Sequence, residues 1–325
     1  MAIYKIAKLI FTTPLHIGKG LGDHYDSADN MLHSDTISGA IASAFCHVSD
    51  GSDLLSFMEG YRVSSAFPFV LDSLFIPKPQ IWIKIEFQGG NSYVQNKRLK
   101  KVEYIDFSLF SKIASGDSIV VDEGQFSKNG KFLFPGKAAS VPYRDEVIQR
   151  VVIPRMGGDA LPFYFERRYF NTGCGLYFIY EVSKDLENRF KTLIQWLGNT
   201  GFGTDKSVGN GMFNVEFSEI EIFESTNASR LMTLSLLCPK KEELNGEMLG
   251  KSNYALVQRG GFIAGTTVDE FRHLRKKSIY MFTEGSLFSS DHLSGKIENV
   301  RPVWNDKLLH PVYKDGRAFT IPVNI

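Results

Sequence analysis

The chain has 325 residues, of which 43% are hydrophobic and 22% are charged, and its formal net charge at pH 7 is +1. This composition is typical of a globular protein of one or two domains, and it excludes a globally basic nucleic-acid binder. No apolar run approaches the roughly 20 residues that a membrane helix needs, and the three cysteines are widely spaced without a Cys-x-x-Cys pair. We therefore expect a cytoplasmic protein that forms no disulfide bonds, binds no zinc and contacts no membrane.

Charge is distributed unevenly along the chain. Residues 1–60 have a net charge of −4, residues 78–101 have six basic side chains against one acidic side chain, and residues 226–325 have a net charge of +4. A local basic patch on a neutral protein can bind a nucleic-acid backbone. A solvated surface is the simpler interpretation of any one patch alone, so charge by itself leaves both interpretations open.

In chain order, residues 1–224 predict a strand, a helix, inserted strands, a second helix, a glycine-rich loop and a final strand. Runs of β-branched and aromatic residues indicate the strands, and apolar residues three and four apart indicate the helices. The predicted elements are a strand over 3–11, a helix with Ser34 or Asp35 as its N-cap, strands around 75–87, 151–153, 161–170 and 176–182, a helix over about 185–197 capped by Gly198, and a strand over 212–223. This order predicts a ferredoxin-like βαββαβ domain with a large insertion.

Both predicted helices are amphipathic, and each directs one apolar face toward the core. The residues of these faces are Ile37, Ile41, Ala44, Phe45 and Val48 in the first helix and Leu186, Phe190, Leu193, Ile194 and Leu197 in the second. We expect both faces to be buried against the sheet.

Two further segments divide the chain. Residues 157–159, Gly-Gly-Asp, lie between two apolar runs and predict the turn of a long β-hairpin. Residues 225–229 are polar and predict a linker, and the sequence beyond them has dominant strand signals and weak helix signals. We therefore expect an α+β protein with a first domain over 1–224 and a second domain over 225–325.

Residues 198–211 contain five glycines in fourteen positions, where average usage predicts about one. Such a loop lets backbone N–H groups approach an anion closely. Asp205 before Lys206 excludes a Walker A nucleotide loop, and a dinucleotide-binding loop is excluded because Lys206 replaces its third glycine and the loop follows its helix. A polymeric phosphate backbone, such as that of RNA, remains the best candidate ligand, and we expect the loop's amides rather than Lys206 to make the main contact.

The loop contributes most of the residues that we predict to bind RNA. Asp205 is the exception, because its carboxylate would repel a phosphate group unless it binds Lys206 or a backbone N–H group. The predicted RNA-binding residues of the loop are Gly201, Phe202, Gly203, Thr204, Lys206, Ser207, Gly209 and Gly211.

Two histidines in turns, His16 and His33, are candidates for chemistry. Either could act as acid or base in metal-free RNA cleavage through the 2′-hydroxyl group, and either could instead position the backbone or a ligand by hydrogen bonds. No two histidines have the spacing of a zinc site. The sequence therefore predicts neither a metal ion nor a cofactor.

Two arginines lie beside glycines. Arg155 ends an apolar arm of the predicted hairpin, and Arg259 precedes a Gly-Gly pair. Each could pair with a phosphate group or stack on a base, and each could also be an ordinary surface charge. The aromatic residues within 163–170 also have two interpretations, since they could form a surface on which bases stack or part of a hydrophobic core.

Several phrases of the sequence occur together in a distinctive order. Near the N-terminus they are Pro14-Leu-His16-Ile-Gly18 and His33-Ser34-Asp35-Thr36, and the glycine-rich loop follows the second helix. Toward the C-terminus they are Arg259-Gly-Gly-Phe262, Phe282-Thr-Glu284-Gly285-Ser-Leu-Phe288 and His310-Pro-Val-Tyr-Lys-Asp-Gly316. Over nearly its whole length the chain resembles the RAMP superfamily of CRISPR RNA-binding proteins, and it is most similar to the family of fourth subunits of type III-A (Csm) effector complexes.

The resemblance implies two ferredoxin-like (RRM-like) domains, the first with a thumb hairpin at about 144–170. It implies a non-catalytic subunit that caps the 5′ repeat-derived tag of the guide RNA and contacts the large signature subunit and the first backbone subunit. Target RNA is then met only indirectly, and cleavage belongs to the other subunits. Besides the loop, the predicted RNA-binding residues are His16, Gly18, Lys19, Ser34, Arg155 and Arg259.

Two other functions remain open. The chain could be a metal-independent endoribonuclease of the same superfamily that cuts CRISPR repeat RNA with His16 or His33. Such enzymes usually carry their glycine-rich loop near the C-terminus, whereas more than a hundred residues follow the loop here. The chain could also be a binding module for another structured RNA.

Overall fold

The computed structural model describes residues 2–19, 26–89, 92–154, 157–222, 224, 228–263, 268–304 and 309–325. Its helices are α1 Ser34–Val48, α2 Leu54–Glu59, α3 Ser92–Lys101, α4 Phe107–Ala114, α5 Glu187–Thr200 and α6 Gly246–Gly250. Its strands are β1 Ala2–Phe11, β2 Tyr61–Val63, β3 Phe67–Val70, β4 Ser73–Pro77, β5 Ile85–Phe87, β6 Tyr104–Asp106, β7 Ile119–Val121, β8 Phe132–Leu133, β9 Tyr143–Val152, β10 Leu161–Phe170, β11 Cys174–Val182, β12 Phe213–Ile222, β13 Arg230–Thr233, β14 Leu256–Arg259, β15 Ile279–Phe282, β16 Leu287–Phe288, β17 Gly295–Asn299, β18 Tyr313–Arg317 and β19 Thr320–Val323. The predicted α+β class is confirmed. None of the helices in these ranges is long and apolar enough to cross a membrane.

The largest sheet has eight strands in the order β12-β1-β11-β3-β4-β6-β8, with β2 pairing with β11 beside β3. Its pairs are antiparallel except for β6 with β8. Side chains alternate between the two faces of a strand. In β11, Tyr177 and Ile179 therefore face one hydrophobic core, and Phe178 and Tyr180 face another.

Helices α1 and α5 contribute to the second of these cores. The predicted apolar faces are largely buried, since Ile37, Ile41, Ala44 and Phe45 of α1 and Phe190, Leu193, Ile194 and Leu197 of α5 are buried. The spacing of Val48 predicts that it is buried as well, but it is 58% exposed because it ends the helix.

The start of α1 also differs from the prediction. The helix begins at Ser34, His33 occupies the N-cap position, and no side chain caps the helix there. Asp35 does not cap the helix because its carboxylate binds Arg259 and Lys314 from the C-terminal part of the chain.

Helix α5 ends later than its glycine suggests. It continues through Gly198 to Thr200, and Gly201, with a φ of 82°, occupies the C-cap position. A Cβ atom at Gly198 would clash with the carbonyl oxygen of Phe213 in β12. Gly198 therefore lets the helix lie close to the strand and does not terminate it.

The segment between β2 and β9 contains helices α3 and α4 in addition to strands, whereas the sequence predicts inserted strands alone. The single strand predicted around 75–87 is divided into β4 and β5. Pro77 ends β4, and Pro79 follows at once, because proline cannot donate a backbone hydrogen bond to a neighbouring strand.

Strands β9 and β10 form a two-stranded antiparallel ribbon, which we call the hairpin. It runs from Tyr143 opposite Phe170 to Val152 opposite Leu161. The strand predicted over 161–170 is confirmed. The predicted strand at 151–153 corresponds to the end of a longer strand, β9. The first part of β9 is not predicted because it contains charged residues and lacks an apolar pattern.

The residues after β12 form three small sheets, β16-β13-β19, β14-β15 and β17-β18. Met232, Leu234 and Ile321 of this part share a hydrophobic core with Ile6 of β1 and Ile179 of β11. The C-terminal part therefore packs on the face of the large sheet that α1 and α5 leave open.

Candidate RNA-binding surface

The glycines of the loop are required by close contacts within the protein. Gly201, Gly203 and Gly211 have φ values of 82°, 91° and 74°, in a region that side-chain-bearing residues rarely adopt. An added Cβ atom would clash with a backbone oxygen at each, and at Gly203 that oxygen belongs to His16. These glycines let the loop fold back on itself and lie against the segment after β1.

Several amides of the loop already donate hydrogen bonds to the protein. Gly201 donates to Leu197 O at 2.7 Å, Thr204 donates to His16 O at 3.2 Å, and Gly211 donates to Pro14 O at 2.7 Å. These N–H groups are not available to a ligand. The part of the loop that faces solvent consists of Thr204, Lys206, Ser207, Val208 and Gly209.

Asp205 is buried and binds the hairpin. Its carboxylate accepts hydrogen bonds from Arg150 Nη1 at 2.8 Å, Arg167 Nη2 at 2.7 Å and Asn210 Nδ2 at 2.7 Å. The expected partners, Lys206 or a backbone N–H group, are thus replaced by two arginines from β9 and β10. We call this contact the loop–hairpin junction. Its net positive charge removes the repulsion that the carboxylate would otherwise exert on a phosphate group.

The junction continues into a small aromatic cluster. Arg150 lies over the rings of Phe163 and Phe165, at 5.8 Å and 5.5 Å from their centroids. Phe165 is buried, and its ring centroid is 4.2 Å from that of His16. Tyr164, on the opposite face of the hairpin, is 58% exposed, so it is the aromatic residue of β10 best placed to meet a base.

His16 is 2% exposed and lies beneath the hairpin. Its Nδ1 is 2.7 Å from the carbonyl oxygen of Glu166, and because a carbonyl only accepts, Nδ1 carries the hydrogen. Burial lowers the pKa of His16, although the Glu166 bond opposes this effect. Lys19, two residues after Ile17, is exposed, and its Nζ donates a hydrogen bond to Ser27 Oγ at 2.7 Å.

The predicted residues His33, Ser34 and Arg259 lie away from the junction, in the contact between α1 and the C-terminal part. His33 Nδ1 is 2.8 Å from Glu284 Oε1, and Ser34 Oγ accepts from the backbone N–H of Leu236 at 3.0 Å. Burial alone would lower the pKa of His33, but the Glu284 carboxylate and the bond to Asp29 raise it to about 10.

Asp35 is the centre of this ionic cluster. It accepts hydrogen bonds from Arg259 Nη2 at 2.9 Å and from Lys314 Nζ at 2.5 Å. Burial alone would raise the pKa of Asp35, yet the positive charges of Lys314 and Arg259 hold it well below its usual range. Arg259 is thereby committed to carboxylates inside the protein.

Three further outcomes concern Arg155, Phe202 and the expectation that the chain holds no metal ion. Arg155 lies outside the described residues. Phe202 is buried and stacks on Phe213 with ring centroids 5.1 Å apart. Within the described ranges, no group of His, Cys, Asp or Glu side chains could hold a metal ion.

Arg150 and Arg167 are site residues that the sequence analysis missed. Only the register of the hairpin reveals them, because the pairing of Arg150 with Phe163 places Arg150 on the same face as Arg167. That face meets the glycine-rich loop.

Comparison with known proteins gives this geometry a context. Residues 226–323 match the family model described as the CRISPR Csm4 C-terminal domain. The chain is similar to Csm4 proteins over most of its length. It is 26% identical to the Csm4 protein of Thermococcus onnurineus over 91% of this chain and 93% of that protein. It is 27% identical to the Csm4 protein of Mycobacterium tuberculosis over the same shares.

Solved structures of Csm4 assemblies have a similar fold. A chain of a Csm1–Csm4 cassette in complex with cA4 superposes with a TM-score of 0.62 and 21% identity, covering 100% of this chain and 99% of that one. A chain of a Csm3–Csm4 subcomplex of a type III-A CRISPR-Cas interference complex superposes with a TM-score of 0.66 and 17% identity, covering 99% and 100%. The resemblance predicted from sequence is confirmed.

Proposed function

We propose that this Csm4 relative is a non-catalytic RNA-binding subunit of a type III-A CRISPR interference ribonucleoprotein that acts in antiviral defence. It caps and anchors the 5′ repeat-derived tag of the guide RNA. The observation that carries the proposal is the loop–hairpin junction, in which Asp205 fastens the glycine-rich loop to two arginines of the hairpin.

The chemistry of the junction suits an RNA backbone. Arg150 and Arg167 are 30% and 18% exposed, so both side chains reach the protein surface while they bind Asp205. Lys206, Ser207 and Thr204 lie exposed beside them. Cations and hydroxyl groups bind phosphate oxygens without reading a base, which is what holding a fixed tag requires.

The strand order supports the proposed domain architecture. The order β12-β1-β11 followed by β2 and β3 corresponds to the fourth, first, third and second strands of a βαββαβ unit, with α1 and α5 as its helices. We infer a ferredoxin-like first domain over 1–224, in which the hairpin is the thumb. We also infer a second, divergent ferredoxin-like domain over 225–325.

The proposed partners follow from the relatives. Solved structures contain Csm4 together with Csm1 and, separately, with Csm3. We propose that this chain makes the corresponding two contacts, with the large signature subunit and with a backbone subunit, and so bridges them.

The alternative of an endoribonuclease has less support from the geometry. A general acid or base must reach the 2′-hydroxyl group, but His33 is buried and paired with Glu284. His16 is buried beneath the hairpin. Incubation of the purified chain with repeat RNA in EDTA tests this alternative, and cleavage that is lost in His16→Ala would favour the enzyme.

The proposed function is tested by purifying the tagged chain from cells that contain its natural partners. We expect guide RNAs with a common repeat-derived 5′ end, together with a large subunit and a backbone subunit. Lys206→Glu should lower the yield of bound guide RNA, and Lys184→Glu, at another exposed lysine, is the matched control. Recovery of unrelated structured RNA, or of no RNA from the wild-type chain, would refute the proposal.

A further inference from the structure

Helix α3, in the insertion between β2 and β9, has an exposed face with a concentration of positive charge. Gln95 and Leu99 are buried on its inner side. Residues three and four apart share one face of a helix. The exposed residues on the outer face are Tyr93, Val94, Lys97, Lys100 and Lys101.

Acidic side chains near α3 bind other cations. Arg98, on the flank of the helix, pairs with Glu123 at 2.6 Å. Glu103, just after the helix, pairs with Lys131 at 3.0 Å. Among the described residues, no carboxylate pairs with any of the three lysines of the outer face, so their charge remains directed to solvent.

The carboxyl end of the helix does not account for these lysines. Cations stabilise that end of a helix dipole, but here Lys78 already fills the role, with its Nζ donating to Leu99 O at 3.0 Å. Lys97 lies three and four residues before Lys100 and Lys101, a spacing at which like charges repel. The repulsion among the three lysines is a cost to the helix, which a ligand of opposite charge would offset.

We propose that the outer face of α3 binds the phosphate backbone of single-stranded RNA as a second contact, separate from the loop–hairpin junction. Lysines track a backbone, and an aromatic residue among them offers a surface on which a base can stack. Tyr93 is 75% exposed and lies one turn before Lys97. This pairing of an aromatic ring with unpaired lysines favours RNA over an acidic protein surface. The contact goes beyond the proposed function because it requires neither the tag nor the partner subunits.

The two contacts are far enough apart to be tested separately. Strand β6 directly follows α3 and is four strand intervals from β1 in the large sheet, which corresponds to roughly 19 Å at the usual strand spacing. The glycine-rich loop binds the segment just after β1. An RNA must therefore span the sheet to reach both.

The test measures the affinity of the full chain for a fluorescent oligouridylate of about 24 nucleotides, longer than the site of a single binding fold, at increasing salt concentration. Lys97→Glu, Lys100→Glu and Lys101→Glu are combined in one variant. The control combines Lys184→Glu, Lys240→Glu and Lys241→Glu, which change the same charge at other exposed lysines. Loss of three phosphate contacts should reduce the salt slope of log affinity by about 2, with at least a roughly tenfold weaker affinity at low salt.

An α3 variant that matches the control in affinity and slope would overturn the proposal.

Photo-crosslinking of a 4-thiouridine-substituted oligonucleotide to the wild-type chain gives a second measurement that does not depend on folding of a variant. Crosslinks to the peptide 92–101 are expected, and they should persist in Lys206→Glu. Crosslinks confined to the loop and hairpin would refute the α3 contact and leave the proposed function intact. Loss of RNA binding only in the α3 variant would instead refute the junction and support α3. An α3 variant that keeps its RNA affinity but loses an acidic protein partner would also overturn the proposal.

Discussion

Two aspartates with the same kind of partners serve different regions of this molecule. Asp205 binds Arg150 and Arg167 at the loop–hairpin junction, where the two arginine side chains are 30% and 18% exposed. Asp35 binds two cations between α1 and the C-terminal part, where those side chains are only 11% and 9% exposed. One aspartate holds a surface that water reaches, and the other holds an interior contact that is nearly dry.

The difference in exposure decides what each cluster can do. Charges attract more strongly where water is excluded, and an unpaired charge there is correspondingly costly. The Asp35 cluster therefore fixes two parts of the chain relative to each other. The junction can keep the hairpin in place and still present cationic N–H groups to a ligand. The same pairing of an aspartate with two cations thus stabilises the interior at Asp35 and forms part of a candidate binding surface at Asp205.

Removal of the carboxylate of Asp35 should have the largest effect on stability. We call Asp35 with Arg259, Lys314 and His33 the dry cluster. We expect Asp35→Ala to lower the free energy of unfolding by about 3–5 kcal/mol, because Arg259 and Lys314 are left buried without a counter-charge. Chemical denaturation followed by circular dichroism measures the change. The exposed Asp72→Ala is the control and should lie within about 0.5 kcal/mol of the wild type. A similar loss in both variants would mean that burial does not distinguish the cluster.

The dry cluster should also respond to alkaline pH through His33. Its pKa is raised from 6.5 to about 10 in the folded protein, so the stabilisation by protonated His33 is complete below pH 6.5 and is lost as the pH rises toward 10. The stability difference between the wild type and His33→Gln should therefore shrink by up to about 1.4 kcal/mol per pH unit in this window.

Denaturation of both proteins at several pH values measures this difference. The comparison of the two separates His33 from Lys276, whose pKa is lowered to about 8 by burial and by Lys314. A difference that stays constant from pH 6 to pH 9 would contradict the assignment of a stabilising charge to His33.

The wet junction should respond more locally. We expect Asp205→Ala to lower the free energy of unfolding by about 1–3 kcal/mol, because Arg150 is 30% exposed and can recover its hydrogen bond from water. Amide hydrogen exchange should accelerate in β9 and β10 and stay unchanged in α1. Asp159→Ala, in the turn of the same hairpin, is the control. Faster exchange in α1 as well would show that the junction and the dry cluster are one unit.

The smallest effect is expected at the exposed lysine of the loop. Lys206→Glu should leave stability unchanged and weaken RNA binding by roughly tenfold, with the salt slope reduced by about 0.7 for one lost phosphate contact. Fluorescence anisotropy with tag RNA measures both quantities, and Lys184→Glu should behave as the wild type. An unchanged slope would exclude Lys206 from the RNA contact.

Local pattern predicts the regular elements of this fold well. The apolar spacing of α1 and α5 and the β-forming run of β10 are strong signals that no distant contact overrides. The role of Gly198 is not predictable in this way, because its reason is the carbonyl oxygen of Phe213 in a strand that packs on the helix. Helix α3 is concealed for a different reason. Its four basic residues indicate a charged surface patch, and such a patch is compatible with a helix, a strand or a loop.

The candidate site was predictable in position and only partly in mechanism. The glycine content marks residues 198–211, but the partners of Asp205 lie 55 and 38 residues away in the chain. Nothing local indicates that a carboxylate in the loop will be neutralised by a hairpin. Arg259 shows the converse, since a cation beside two glycines has the local signature of a ligand contact and is held instead by the carboxylates of Asp35 in α1 and of Asp29 before it.

The hydrophobic core that joins β1 and β11 to β13 and β19 has a consequence for synthesis of the chain. When Ile222 has left the ribosome, the part of the large sheet's face that β1 and β11 form still lacks its cover, and the strand that finishes the cover ends at Val323. At the usual rate of translation those last residues take about 5–20 s to appear. Throughout that interval an apolar sheet face is open to other nascent chains and to chaperones, so the two parts of the protein mature together and not in succession.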